Sequence, residues 1–170
     1  MDLFARKGLY AITNPGSNTK LASGIAPITR FLEKGICVGI GTDGASSNNC
    51  LDMFREMFLT TGLAKLRDHN ASAVAPEEVL KMATTNGAKA MGLTDCDVLA
   101  EGRKADIIMI DLHQPNMQPL NNIAKNIVYS GSKMNGKMTM IAGRSLYYDG
   151  KYLCCDDPEK LYAKANEIIR

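Results

Sequence analysis

Asp43 is the residue of this 170-residue chain whose setting best suits chemistry. It follows the apolar run Ile36-Cys37-Val38-Gly39-Ile40 and sits in Gly41-Thr42-Asp43-Gly44, ahead of the small-residue stretch Ala45-Ser46-Ser47-Asn48-Asn49. A strand ending in a lone carboxylate delivers it to the loop at its carboxyl end, where parallel α/β folds place their chemistry. Such a group can bind a metal or take a proton. The same spacing also suits an Asp-Gly turn or a helix cap. On spacing alone the two readings balance.

A second polar stretch, Asn14-Pro15-Gly16-Ser17-Asn18-Thr19-Lys20, follows the preceding β-prone run. Its loop should lie beside that of Asp43, and Ser17, Asn18 and Lys20 could meet a polar ligand. The commoner reading is a proline turn with side-chain-to-backbone bonds. A phosphate loop is disfavoured: G-x-x-x-x-G-K-[ST] is absent, and Gly39, Gly41 and Gly44 form a lone G-x-G-x-x-G with no helix directly after it. The only histidines are His69 and His113, and neither belongs to a short-spaced pair. Zinc needs roughly four ligands at about 2 Å, and no serine stands on a G-x-S-x-G elbow. Both histidines are expected at the surface. Five cysteines (37, 50, 96, 154 and 155) show no C-x-x-C spacing and read as thiols, Cys37 as a buried apolar residue in its strand.

The elements that must position these residues follow from patterning. Residues 2–7 read as a helix stopped by Gly8, and 9–13 as a strand. Pro27 opens a helix with Ile28, Phe31 and Leu32 on one face, closed by Gly35. Strand 36–42 follows, so the two strands should be parallel neighbours in a βαβ unit. Asn48 or Asn49 is expected to cap the next helix, whose apolar stripe is Leu51, Phe54, Met57, Phe58 and Leu66. Another helix starts at Pro76, with Val79, Leu80, Met82 and Ala83 inward and a break near Asn86-Gly87. Beyond residue 93 the pattern turns β-rich. Strands are expected at 107–110, 126–129, 138–142, 145–148 and near Tyr152, with a loop over 114–122. A last helix begins at Asp157-Pro158-Glu159. The expected organisation is an α/β part (1–93), a β-rich part (94–155) and a C-terminal helix (156–170). Two parallel strands alone leave faces and edges open, so the α/β part must be completed by further elements.

Composition bounds the function classes. Hydrophobic residues make up 45% and charged residues 22%, as in an ordinary globular chain. A net charge of +2 gives no footprint for nucleic acid. No apolar run approaches the roughly 20 residues of a membrane span, and the N-terminal residues lack a signal-peptide core. A cytoplasmic location is expected, with no membrane partner.

Three stretches carry a resemblance: Asn14 to Pro27, Gly41 to Asn49, and Gly102-Arg103-Lys104-Ala105-Asp106-Ile107-Ile108-Met109-Ile110-Asp111. In their order and spacing the chain resembles the metal-dependent amidohydrolase superfamily, in its branch of S-adenosylhomocysteine/5-methylthioadenosine deaminases and chlorohydrolases. The resemblance implies the C-terminal portion of a (β/α)8 TIM-type barrel, with strands 9–13 and 36–42 as its last two, plus part of a small β-sandwich. It implies that Asp43 is both a ligand of zinc or iron and the acceptor of a proton from the attacking water. Ser17 and Asn18 would face a purine-like or other heterocyclic substrate, which loses an amine or a halide. The family's metal-site histidines and its substrate glutamate lie on earlier strands, and Thr13 stands where many members carry a histidine. The chain is therefore expected to be inactive alone, to lack the bound metal of the intact family, and to pair with an N-terminal half or a second copy. The alternative is a non-catalytic assembly component.

Overall fold

The computed structural model describes residues 1–155 and 157–169. Asp156 and Arg170, the ends of the expected C-terminal helical part, lie outside the described residues. Helix α1 (Asp2–Arg6) leads into strand β1 (Ala11–Thr13). Helices α2 (Pro15–Lys20) and α3 (Ile28–Glu33) form the crossover to β2 (Val38–Ile40). The strands pair in parallel with Ala11 opposite Val38, Ile12 opposite Gly39 and Thr13 opposite Ile40. Two further bonds, Ala11 N to Cys37 O and Gly41 N to Thr13 O, extend the ladder by a step at each end. The ladder is shorter than the expected runs 9–13 and 36–42, since only residues 11–13 and 38–40 pair. Cys37 is half-buried rather than buried.

Two local expectations change here. Residues 15–20 are a helix, not a turn: Pro15 takes the first helical position, where its missing N–H costs nothing. Helix α4 (Met53–Asp68) starts later than expected, capped by Asp52, whose carboxylate accepts from Phe54 N at 3.0 Å. Asn48 is thereby released for another task. The inward side of α4 also differs. Glu56, Met57, Thr60, Thr61 and Ala64 are buried, whereas Leu51, Phe58 and Leu66 are exposed. Much of α4's inner face meets backbone and polar side chains, so hydropathy alone misplaces it.

Helices α5 (Pro76–Ala83) and α6 (Thr85–Ala90) follow, with Val79 and Met82 fully buried. The break falls at Thr84, two residues before Asn86. Asn86 Nδ2 donates to Val38 O at 2.8 Å, giving a β2 carbonyl a side-chain partner. The core joins Ile28, Val38, Ile40, Met57, Ala64, Val79, Met82 and Val128.

Beyond residue 106 comes an antiparallel sheet in the order β3 (Ile107–Ile110), β4 (Gly136–Ile141), β5 (Arg144–Tyr148), β6 (Lys151–Tyr152). The β4–β5 and β5–β6 turns have positive φ at both central residues, Ala142-Gly143 and Asp149-Gly150, as tight hairpins require. The expected strand 126–129 is helical instead: α7 (Ile123–Lys125) continues into a wider helical turn over Asn126–Ser130. Asn122 caps it, Asn126 Nδ2 ties it to Met117 O, and Val128 is buried in the core. Tertiary packing here overrides the β-propensity of Ile-Val-Tyr. Helix α8 (Pro158–Ile169) has no buried residue. No helix among the described residues is long and apolar enough to cross a membrane.

Candidate active site

The loops after β1 and β2 leave the same end of the parallel pair, as the βαβ pattern requires, and they meet. Asp43 lies three residues past Ile40, exposed, with φ of 61°. Aspartate tolerates this left-handed backbone better than most residues. Its carboxylate is held from two sides: Ser17 Oγ donates to Oδ2 at 2.7 Å and Gly44 N to Oδ1 at 2.7 Å. The Ser17 hydroxyl, then the Gly44 amide and the Ser47 hydroxyl, hold the Asp43 carboxyl below the usual carboxylate range. The group is therefore a pre-oriented anion with lone pairs left over toward solvent.

Ser17 is 2% exposed, and its hydroxyl is committed to Asp43. Asn18 follows on α2, half-buried, its amide bonded to Asn14 O at 2.9 Å. Lys20 is not left to meet a ligand. Its ammonium spans to Ser46 O at 3.0 Å and Asn49 Oδ1 at 2.6 Å, strapping the end of α2 to the Asp43 loop. The sequence thus brings together Asp43, Ser17 and Lys20 from stretches about 26 residues apart. His69 closes α4 in a left-handed conformation, and His113 follows β3; both are exposed.

Beneath the loop lie three residues that motif reasoning missed. Glu56 takes an N–H from Gly16 and another from Asn48, and Asn48 also bonds the Thr42 carbonyl at 2.9 Å. Asn48 was expected only as a cap, Gly16 only as part of the polar stretch 14–20, and Glu56 did not stand out. The one available signal was a glutamate inside a helix whose remaining inward positions are apolar or small.

Among the described residues, no group of three or more His, Cys, Asp or Glu could hold a metal ion. Asp43 offers one carboxylate where zinc needs roughly four ligands. The described residues do not, by themselves, fit a metal.

A carboxylate fixed at the carboxyl end of a parallel βαβ unit defines an α/β chain with a candidate site where such folds place their chemistry. Residues 2–146 match the Amidohydrolase family model, and the chain belongs to that family. It is 44% identical over its full length to the 5-methylthioadenosine/S-adenosylhomocysteine deaminase of Nitratidesulfovibrio vulgaris, covering 38% of that protein. It is 38% identical over 172 residues to the 5'-deoxyadenosine deaminase of Methanosarcina mazei, covering 99% of this chain and 40% of that one. The chain thus spans about two-fifths of the curated relatives it matches. Among solved structures, an adenosine deaminase from Xanthomonas campestris with bound zinc superimposes with a TM-score of 0.93 at 32% identity, over 97% of this chain and 38% of that one. The atrazine chlorohydrolase of Arthrobacter aurescens complexed with zinc gives a TM-score of 0.91 at 26% identity, over 99% of this chain and 38% of that one.

Proposed function

We propose that this chain forms the closing part of a hydrolytic deaminase barrel acting on the exocyclic amine of a purine-like heterocycle. Asp43 is its working carboxylate. Within the assembled site Asp43 accepts the proton of the water that attacks the ring carbon, and a carboxylate held in its ionised form is ready for that role. Ser17 and Asn18, on α2 beside it, border the substrate. The observation that carries the reading is the pair of bonds from Ser17 and Gly44 that fix Asp43 at the strand's carboxyl end. The names of the relatives support deamination over dechlorination, since the more identical sequences are named for deaminating 5-methylthioadenosine, S-adenosylhomocysteine and 5'-deoxyadenosine.

The remaining catalytic groups come from barrel elements other than β1 and β2, in the same polypeptide or in another chain. Two features support this. Among the described residues β1 pairs with β2 alone, and Leu9, Tyr10 and Ile12 are exposed along it. On this reading β1 and β2 are the last two barrel strands, and the chain needs its complement for turnover.

The test is a graft in which these residues replace the matching part of the Nitratidesulfovibrio vulgaris deaminase. Ammonia release from adenosine-type nucleosides is then measured. The graft is expected to turn over, and Asp43→Asn to slow it by about 100-fold to 10,000-fold, the usual span for a lost acid–base group. A folded graft whose Asp43→Asn form keeps its full rate would overturn the assignment. Turnover by the isolated chain would overturn the need for a complement.

A further inference from the structure

Glu56 has no exposed surface, and its two oxygens serve two different segments of the site. Oε2 accepts from Gly16 N at 2.8 Å, and Oε1 accepts from Asn48 Nδ2 at 2.7 Å. Gly16 directly precedes Ser17, the donor to Asp43. Asn48, itself 2% exposed, gives its other N–H to the carbonyl of Thr42, directly before Asp43. The bonds and the chain therefore close a ring: Asp43, Ser17, Gly16, Glu56, Asn48, Thr42 and back to Asp43.

Each member is chemically specified. Asn48 spends both N–H groups on acceptors, and its Oδ1 takes the Cys50 amide at 3.1 Å, which fixes its orientation. A residue at position 56 must accept twice, from two donors on different segments. A carboxylate does so, whereas an amide would turn an N–H toward one of them. Position 16 must lack a Cβ, which would overlap Glu56 Oε1 and lie 2.8 Å from Asn48 Nδ2. An apolar side chain would fill the space under the loop but would leave the Gly16 amide and one Asn48 N–H unpaired. A buried carboxylate is an expensive choice for packing alone.

We infer that Glu56 is a positioning residue: it locks the Asp43 loop to the first turn of α2 and so sets the meeting of the Ser17 hydroxyl with the Asp43 carboxylate. It touches no reacting atom and acts through Asn48 and Gly16. The inference rests on reading Asp43 as the working carboxylate, but its test reads geometry rather than turnover.

The test is amide NMR with hydrogen exchange on the full 170-residue chain. The reporters are Gly44, which donates to Asp43, and Gly16; amides of β4 and β5 serve as controls. Glu56→Gln and Asn48→Asp are each expected to move the Gly44 amide proton upfield and to speed exchange at Gly16 by roughly tenfold, with the controls unmoved. In the double variant the introduced amide at 56 donates to the introduced carboxylate at 48 and still accepts from Gly16. It is expected to restore Gly16 protection but not the Gly44 resonance, because a carboxylate at 48 cannot donate to the Thr42 carbonyl. A merely structural glutamate gives a different pattern: every α/β amide exchanges faster in step, Gly44 keeps its resonance, and the double variant is no better than the singles. That pattern overturns the inference. If Glu56→Gln does not fold, the double variant decides. A folded form with Gly16 protected supports the inference, and an unfolded one overturns it. Loss of the Asp43 role in the graft with this NMR pattern intact would count against the function reading and not against Glu56.

Discussion

Two glycines of the site region show how differently one residue type can be used. Gly16 lies against Glu56 and Asn48 in a backbone conformation open to any residue, so closeness alone requires its missing side chain. Gly16→Ala is expected to destabilise the chain by about 1–3 kcal/mol, the usual cost of overpacking. Gly62, in the middle of α4, has nothing within 4 Å of where a Cβ would go. Gly62→Ala is expected to stabilise by about 0.5–1 kcal/mol, through helix propensity and a less flexible unfolded chain. Urea unfolding of both variants with unchanged slopes checks the pair. Equal effects of the same sign would show that the space around Gly16 is not what matters. At this scale the sequence was half legible. Asp43 stood out because it ends an apolar strand run, although the same spacing suits an Asp-Gly turn equally well. Glu56 did not, because its importance comes from two donors 40 and 8 residues away in the chain, and no local pattern records such distances.

Elements were legible where local chemistry decides and illegible where packing does. The β5–β6 hairpin was readable from the closely spaced strands expected at 145–148 and near Tyr152, and the parallel β1–β2 pair from strand, helix and strand in order. Residues 126–130 were not, because Val128 gains more from the core than Ile-Val-Tyr gains from an extended backbone. The stripe of α4 was misread for a related reason: its inner face is half polar. The β4–β5 turn offers a prediction of its own. Ala142 holds a φ of 49° ahead of Gly143, a position that favours asparagine. Ala142→Asn keeps the backbone N–H that donates to Asp106 Oδ1 at 2.7 Å. It should raise stability by roughly 0.5–1 kcal/mol, seen as a higher urea midpoint; a lower midpoint would contradict the turn assignment. The segment after β3 is sensitive to acid. Asp111 accepts from Gln114 Nε2 at 2.7 Å and from His113 N at 2.8 Å, and these bonds, Gln114's first, hold its carboxyl below the ordinary range. A lowered folded value means that the turn's contribution is present above the unfolded value of about 3.9 and is lost as pH falls through the folded one. The His113 amide resonance should follow that titration with a midpoint below about 3.9, and Asp111→Asn should abolish it. A midpoint at or above the ordinary value would refute the bonding.

At the scale of the whole molecule, the question is what a two-stranded parallel sheet does with its free side. Parallel strands are found with both faces covered, and two strands by themselves make a marginal sheet. Here Val38 and Ile40 pack on the helical side, but Ile12 is 49% exposed, with Leu9 and Tyr10 exposed beside it. Outside its bonds to β2, the backbone of β1 joins no other strand among the described residues. On the proposed function the site faces the same problem from the other direction, since Asp43 is held firmly but faces solvent. One arrangement answers both: further barrel elements that add to β1 cover the apolar residues and bring chemistry to Asp43. It follows that the 170-residue chain studied in isolation should satisfy that edge with copies of itself. Sedimentation velocity is expected to show association that increases with concentration. Tyr10→Lys combined with Ile12→Lys should suppress it, because lysines along an edge oppose strand addition. If the unaltered chain sediments as a single monomer at every concentration, or if the two lysines change nothing, the free side of β1 is not where this molecule is completed. The complement would then have to reach Asp43 by another face.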